Sequence, residues 1–184
     1  MSQKGQRMFE SILKFWFEDI EPKQWWEVDA DFDALIAKKF SEIFLQASRG
    51  ELVSWRSDVK GRLAEIIVLD QFSRNIYRGK ASAFLQDPIA LVLSQEAVNL
   101  GCIEKLEGAQ RSFLLMPYMH SESRYIHQLA EPLFKKFAPN NYSFEIRHKK
   151  IIDRFGRYPH RNKMLGRETT KEEAEFLRQP GSSF

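Results

Sequence analysis

The chain has 184 residues, 43% of them apolar, with 15 Phe, five Tyr and four Trp. That length predicts one domain, large enough to bury about 70% of its unfolded surface without a disulfide or metal staple. The composition excludes intrinsic disorder and a collagen-like repeat. The single cysteine, Cys102, excludes an internal disulfide framework and a cysteine-based zinc cluster. The formal charge of +3 is unevenly placed. Arg147, Lys149, Lys150, Arg154, Arg157, Arg161, Lys163 and Arg167 face one acid, Asp153, within a single segment, so the rest of the chain is slightly acidic. Met1–Arg7 is short and polar, unlike a signal peptide, and predicts a flexible N-terminal tail. No apolar run approaches the ~20 residues that span a bilayer. With one Cys and no export signal, a cytoplasmic location without a membrane partner is expected.

Helical periodicity recurs along almost the whole chain. Phe9, Ile12, Leu13 and Trp16 fall at i, i+3, i+4 and i+7. Phe32, Leu35, Ile36, Phe40, Ile43, Phe44 and Ala47 continue one stripe in the next segment, with Asp29 or Asp31 as its cap and Gly50 past its end. A third helix spans Gly61 to about Ile76. Its centre, Ile66-Ile67-Val68-Leu69, is apolar all round, the mark of a helix buried on every side. Asp87-Pro88 reads as an N-cap followed by proline at the first helical position, with Ile89, Leu93, Ala97 and Leu100 on one face and Gly101 beyond.

Ala109–Met116 is short and apolar and is expected to stop near Pro117. Glu122–Phe137 carries Ile126, Leu129, Leu133 and Phe137 on one face, with a kink or break expected at Pro132. Tyr142–Phe155 follows, with Phe144, Ile151, Ile152 and Phe155 in phase. Thr170 and Glu173 form a capping box that opens the last helix. No β-branched segment of period two competes. The prediction is an all-α single domain over residues 1–184, about eight helices joined by short loops as antiparallel hairpins.

The glycine loops that cradle phosphates, GxxxxGK[ST] and GxGxxG, do not occur, and neither do HExxH or GxSxG. The four histidines, His120, His127, His148 and His160, lack tight metal-ligand spacing. No metal and no cofactor is expected.

Three segments stand out. In Asp70-Gln71-Phe72-Ser73-Arg74-Asn75-Ile76-Tyr77-Arg78-Gly79, Asp70 and Arg74 sit at i and i+4 and continue the apolar stripe of Leu63 and Ile67. Charges on a buried face must be paired or must line a wet cavity. That leaves a structural ion pair or a pocket wall. At Met116-Pro117-Tyr118-Met119-His120-Ser121-Glu122-Ser123, His120 and Glu122 lie at a helix junction that Ser121 or Ser123 caps, where backbone N–H groups are also free. In the third segment His148 faces inward with Ile152 and Phe155, and Gly156 ends the helix. Arg154, Arg157, His160 and Arg161 then crowd a turn interleaved with Phe155, Tyr158 and Pro159. Guanidinium forks suit carboxylates and phosphates.

These residues also carry a family resemblance. DQFxRNxxRG, MPxxHSE and RFGRxPHRNxxLGRxxTxEE, with a C-terminal SF, resemble domain-of-unknown-function family 924 from about Ile12 to Phe184. The resemblance implies a tetratricopeptide-like arrangement of antiparallel helices and transfers no activity. Tyr158 stands where Phe is usual, and Thr169-Thr170-Lys171 where Ser-Thr-Pro is usual.

Three classes of function follow. One is a protein, enzyme or not, that holds a small anionic or phosphorylated ligand in a polar pocket. Its candidate residues are Asp70, Arg74, Asn75, His120, Glu122, His148, Arg154, Arg157, His160 and Arg161. The second is a helical module that binds a peptide or protein. The third, nucleic-acid binding through residues 147–167, is the weakest, because the basicity is local and no nucleic-acid motif occurs.

Overall fold

The structure, a computed structural model, describes residues 3–183. Among them every regular element is helical and none is a strand, the all-α class that the periodicities predict. Helix α1 (Gln3–Lys14) runs into a π turn, Phe15–Asp19, and the two bury Phe9, Ile12, Leu13, Phe15 and Trp16. The backbone is therefore already helical at residues 3–7, where a tail was expected, while residues 1–2 lie outside the described part. Helix α2 (Ala30–Ser48) is capped by Asp29, whose carboxylate accepts from the Asp31 and Phe32 N–H groups.

Helix α3 (Val59–Ile67), a second π turn (Val68–Phe72) and α4 (Ser73–Ile76) form one continuous rod at the centre. Leu63, Ala64, Ile66, Ile67, Val68, Leu69 and Phe72 are all inaccessible to solvent. The rod packs on α1, on α2, and on α5 (Asp87–Asn99) and α6 (Gly108–His120). Its start is crowded. A Cβ at Gly61 would lie 2.3 Å from the Trp55 carbonyl oxygen, so only glycine lets the Val53–Ser57 turn close this tightly on the rod.

Proline behaves differently from expectation. Helix α6 does not stop at Pro117 but continues to His120. An interior proline costs ~3 kcal/mol, but Leu114, Leu115, Met116, Tyr118 and Met119 are all buried here, each worth roughly 1.5–3 kcal/mol. The same holds for α7 (Arg124–Phe137), which passes unbroken through Pro132 between buried Ala130 and Phe134. Helix α8 (Pro139–Phe155) ends at Gly156 with φ +70°, and α9 (Lys171–Leu177) opens on the expected Thr170–Glu173 capping box. Helices α5 to α8 each pack on the next.

Aromatic rings dominate the main core. Trp16 meets Trp25, Phe32, Phe72 and Phe113 at centroid distances of 5.5–6.4 Å. A smaller core of Ile151, Ile152 and Tyr158, with Phe155 and Phe176 against it, anchors the C-terminal segment. The candidate site lies between these two cores. No helix among the described residues is long and apolar enough to cross a membrane.

Candidate functional site

The π turn carries Asp70 into the interior, where its side chain is 1% exposed. One carboxylate oxygen is 2.7 Å from His120 Nδ1 at the end of α6, and the other accepts from the Gln71 amide at 2.6 Å. Arg74, one turn on, donates to the Asp70 backbone carbonyl at 2.6 Å and lies 3.5 Å from its carboxylate. Its main partner is elsewhere. Arg74 forks onto Asp87, the first residue of α5, at 2.9 and 3.1 Å. Asp87 also receives Arg161 from the Pro159–Arg161 turn, at a longer 3.3 Å.

Arg161 is the least satisfied member. Its side chain is 7% exposed, and its guanidinium lies 4.6 Å from the centroids of both Phe84 and Tyr158. Its Nε is buried with no hydrogen-bond partner. Its other neighbours form a layer around Tyr158. The Tyr158 hydroxyl donates to the Met119 carbonyl at 2.5 Å and lies 3.2 Å from His127 Nε2. The rings of His148 and His160 stand 5.7 and 5.6 Å from that of Tyr158. The Tyr158 N–H donates to Glu122, which Arg167 grips at 2.6 and 3.0 Å.

Of the ten residues expected to form a site, Asp70, Arg74, His120 and Arg161 thus share one cluster, with Glu122, His148 and His160 in the layer beside it. Three lie elsewhere. Asn75 donates to Asp33 on α2, Arg154 pairs at the surface with Glu172, and Arg157 forks onto Glu173 at the start of α9. The expected role of Asp87 as N-cap also changes. Gln86 holds the cap position, and the Asp87 carboxylate serves the two guanidiniums instead. Asp87, Gln71, Phe84 and Tyr158 were not singled out from sequence as site residues. The Asp-Pro pair hid Asp87 as an ordinary helix start, and Tyr158 read as one of the rings interleaved with the basic turn, with no hint that its hydroxyl matters.

Burial works against the Asp70 carboxylate, but His120, Arg74 and Gln71 outweigh it and hold its pKa below the usual carboxylate range. Burial lowers His120, with Arg74 adding to the effect against the pull of Asp70, and it takes His148 down to about 3 and His160 to about 4. All three rings are therefore neutral at pH 7. Since an ionised Asp70 can only accept, His120 Nδ1 must donate, which leaves Nε2 as the ring's lone-pair nitrogen. The His120 side chain keeps 15% of its surface exposed. The cluster thus offers a buried cation short of an acceptor and a neutral imidazole with a defined tautomer. No group of three or more His, Cys, Asp or Glu among the described residues is placed to hold a metal ion.

Comparison with known proteins agrees with the fold. A family model described as "Bacterial protein of unknown function (DUF924)" matches residues 12–181. The chain belongs to this family. A solved protein of unknown function from Agrobacterium tumefaciens is similar at 34% identity, with a TM-score of 0.90 over 94% of this chain and 98% of the other. No curated protein matches. The three segments that carry the resemblance now have places in the DUF924 fold. DQFxRNxxRG supplies the π turn with Asp70 and Arg74, MPxxHSE supplies His120 and Glu122, and the last supplies Tyr158, Arg161 and Arg167. The final Phe of that motif, Phe184, lies outside the described residues.

Proposed function

We propose that this DUF924 protein binds a small anionic ligand, a carboxylate or a phosphorylated compound, at the Asp70–Arg74–Asp87–His120–Arg161 cluster. One observation carries the reading. Arg161 is buried, shares with Arg74 a carboxylate that Arg74 already holds by two bonds, and keeps Nε without an acceptor. A buried donor left unmade costs about 1–3 kcal/mol, more for a charged group, and an oxyanion removes that cost. The free, buried Cys102 fits a reducing compartment, and we place the protein in the cytoplasm.

The test is thermal melting with phosphate, sulfate, succinate and citrate. A ligand at 100 times its dissociation constant adds about 2.7 kcal/mol, a rise of about 5–10 °C for a domain of this size. The rise should vanish in Arg161→Gln. A flat response to every anion, or an equal rise in the variant, defeats the reading.

A second reading, a peptide-binding module, draws on exposed Leu85, Ile89 and Val92 around the start of α5. We rank the nucleic-acid reading last. Lys149, Arg154, Arg157, Arg161 and Arg167 are each paired with a carboxylate, so much of the local basicity is already neutralised.

A further inference from the structure

The imidazole beside the anion cluster is built in a way that simple binding does not require. Asp70 has both carboxylate oxygens engaged, one by His120 Nδ1 at 2.7 Å and one by Gln71 at 2.6 Å, and its own position is fixed by the buried rod. A carboxylate held this firmly sets the ring's orientation and its tautomer together. It leaves the His120 Nε2 lone pair without a hydrogen-bond donor among the described residues, on a side chain that still reaches solvent. An anion needs donors. A lone-pair nitrogen is a poor contact for an oxyanion and a good one for a water or hydroxyl proton.

We infer that His120, oriented by Asp70, is a general base that directs water onto an anionic ester held at Arg161, so that the protein hydrolyses such esters. The inference rests on the anion reading above. In the step, His120 Nε2 takes one proton from water while the water oxygen forms a bond to the acyl carbon or phosphorus. The bond to the leaving oxygen breaks with its electron pair. That oxygen then takes the proton back from the imidazolium, so that water is added across the ester and the ring returns neutral. No other reactant is needed. Asp70 supports the transient imidazolium and acts as a positioning residue, and Arg161 meets the substrate's negative oxygen. The charged and titratable groups that act on His120 are Asp70 and Arg74 from the central rod and Asp87 from α5, and His120 in turn acts on His148 of α8.

The experiment measures 4-nitrophenolate release by the full chain from three probes: 4-nitrophenyl phosphate, bis(4-nitrophenyl) phosphate and the mono-4-nitrophenyl ester of succinic acid. At least one should be turned over, with a rate that climbs with pH to a plateau as His120 loses its proton. His120→Asn should lose about 10²–10⁴-fold, the usual contribution of a positioned base. Asp70→Asn should lower kcat and move the pH limb to lower pH, because the charge that favours the imidazolium is gone. A merely structural Asp70 would leave that limb in place. Arg161→Gln should raise KM more than it lowers kcat. Release by the wild-type chain no faster than by a folded His120→Asn variant, on all three probes, overturns the inference. If phosphate or succinate still stabilises the wild-type chain in that case, only the hydrolytic step falls. If neither does, the anion reading falls with it.

Discussion

Two arginines share Asp87, and the structure predicts opposite consequences for removing them. Arg161→Met takes out a buried cation that has one contact of 3.3 Å and an unpaired Nε. Asp87 keeps its two bonds to Arg74, and Asp70 keeps its donors His120 and Gln71, so neither carboxylate loses its hydrogen bonds although the cluster becomes negative by one charge. Losing one partner of a buried pair is costly when it leaves the other charge without a partner. Asp87 retains its Arg74 fork, so the expected change lies within about 1 kcal/mol of zero, far below the 3–5 kcal/mol typical of a broken pair. Arg74→Met does the reverse. It removes the fork onto Asp87, the bond to the Asp70 carbonyl and the guanidinium beside a fully buried carboxylate. Asp87 is left with the long contact to Arg161 alone, and the loss should fall near the 3–5 kcal/mol typical of a broken buried pair. Urea unfolding of both variants, with unchanged m values as the check on two-state behaviour, measures the contrast. A loss of 3 kcal/mol or more in Arg161→Met would refute the reasoning, because it would make Arg161 a structural residue rather than one whose retention needs a ligand to explain it.

Other consequences are as direct. Gly61→Ala places a Cβ 2.3 Å from the Trp55 carbonyl oxygen and should cost at least ~1–3 kcal/mol in the same assay, as overpacking does. Tyr158→Phe strands the Met119 carbonyl, and thermal melting should show a loss of about 1–3 kcal/mol. Arg157, together with the Thr170 cap, depresses Glu173 to about 2, so its stabilisation is complete above its ordinary 4.5 and drains away as pH falls toward 2. Glu173→Gln should flatten the acid limb of stability in that window. His148, lowered to about 3 by burial, is neutral when folded and protonates when unfolded, so it removes stability as pH drops from 6.5 toward 3. His148→Leu should reduce that slope by about 1.4 kcal/mol per pH unit across the middle of the window.

The helices were legible because their signals are local. Asp29 caps α2, the Thr170–Glu173 box opens α9, and the all-round apolar run at Ile66–Leu69 lies at the centre of a rod buried on every side. What failed locally did so where tertiary burial outweighs a local rule, as at the expected stop near Pro117 and the expected break at Pro132. Membership of the buried cluster was legible for Asp70, Arg74, His120 and Arg161, because charged residues on an apolar stripe or in a packed turn need an explanation. Their pairing was legible only in part. The i, i+4 spacing pointed Arg74 at Asp70, and the two do pair at 3.5 Å, but Arg74 also reaches across 13 residues to fork onto Asp87. The His120–Asp70 and Arg161–Asp87 contacts span 50 and 74 residues, and no period in the chain encodes them.

Charge pairing also decides how the basic segment should be understood. In sequence, residues 147–167 look like a cationic surface. In the fold, Arg157 goes to Glu173, Arg167 to Glu122 and Arg154 to Glu172, and these pairs fasten the C-terminal turn and α9 to the helical body. Arg161 departs from that pattern. It is buried where the others are part-exposed, it is held between two aromatic rings, and its carboxylate partner is shared. With His120, His148 and His160 all neutral, Arg74 and Arg161 are the positive charges of the cluster, and Asp70 and Asp87 balance them. A site of zero net charge attracts anions little from a distance. Any selectivity must therefore come from short-range geometry, from the Arg161 Nε donor and the His120 Nε2 acceptor, and binding should respond weakly to salt, unlike the steep response of a phosphate-backbone binder.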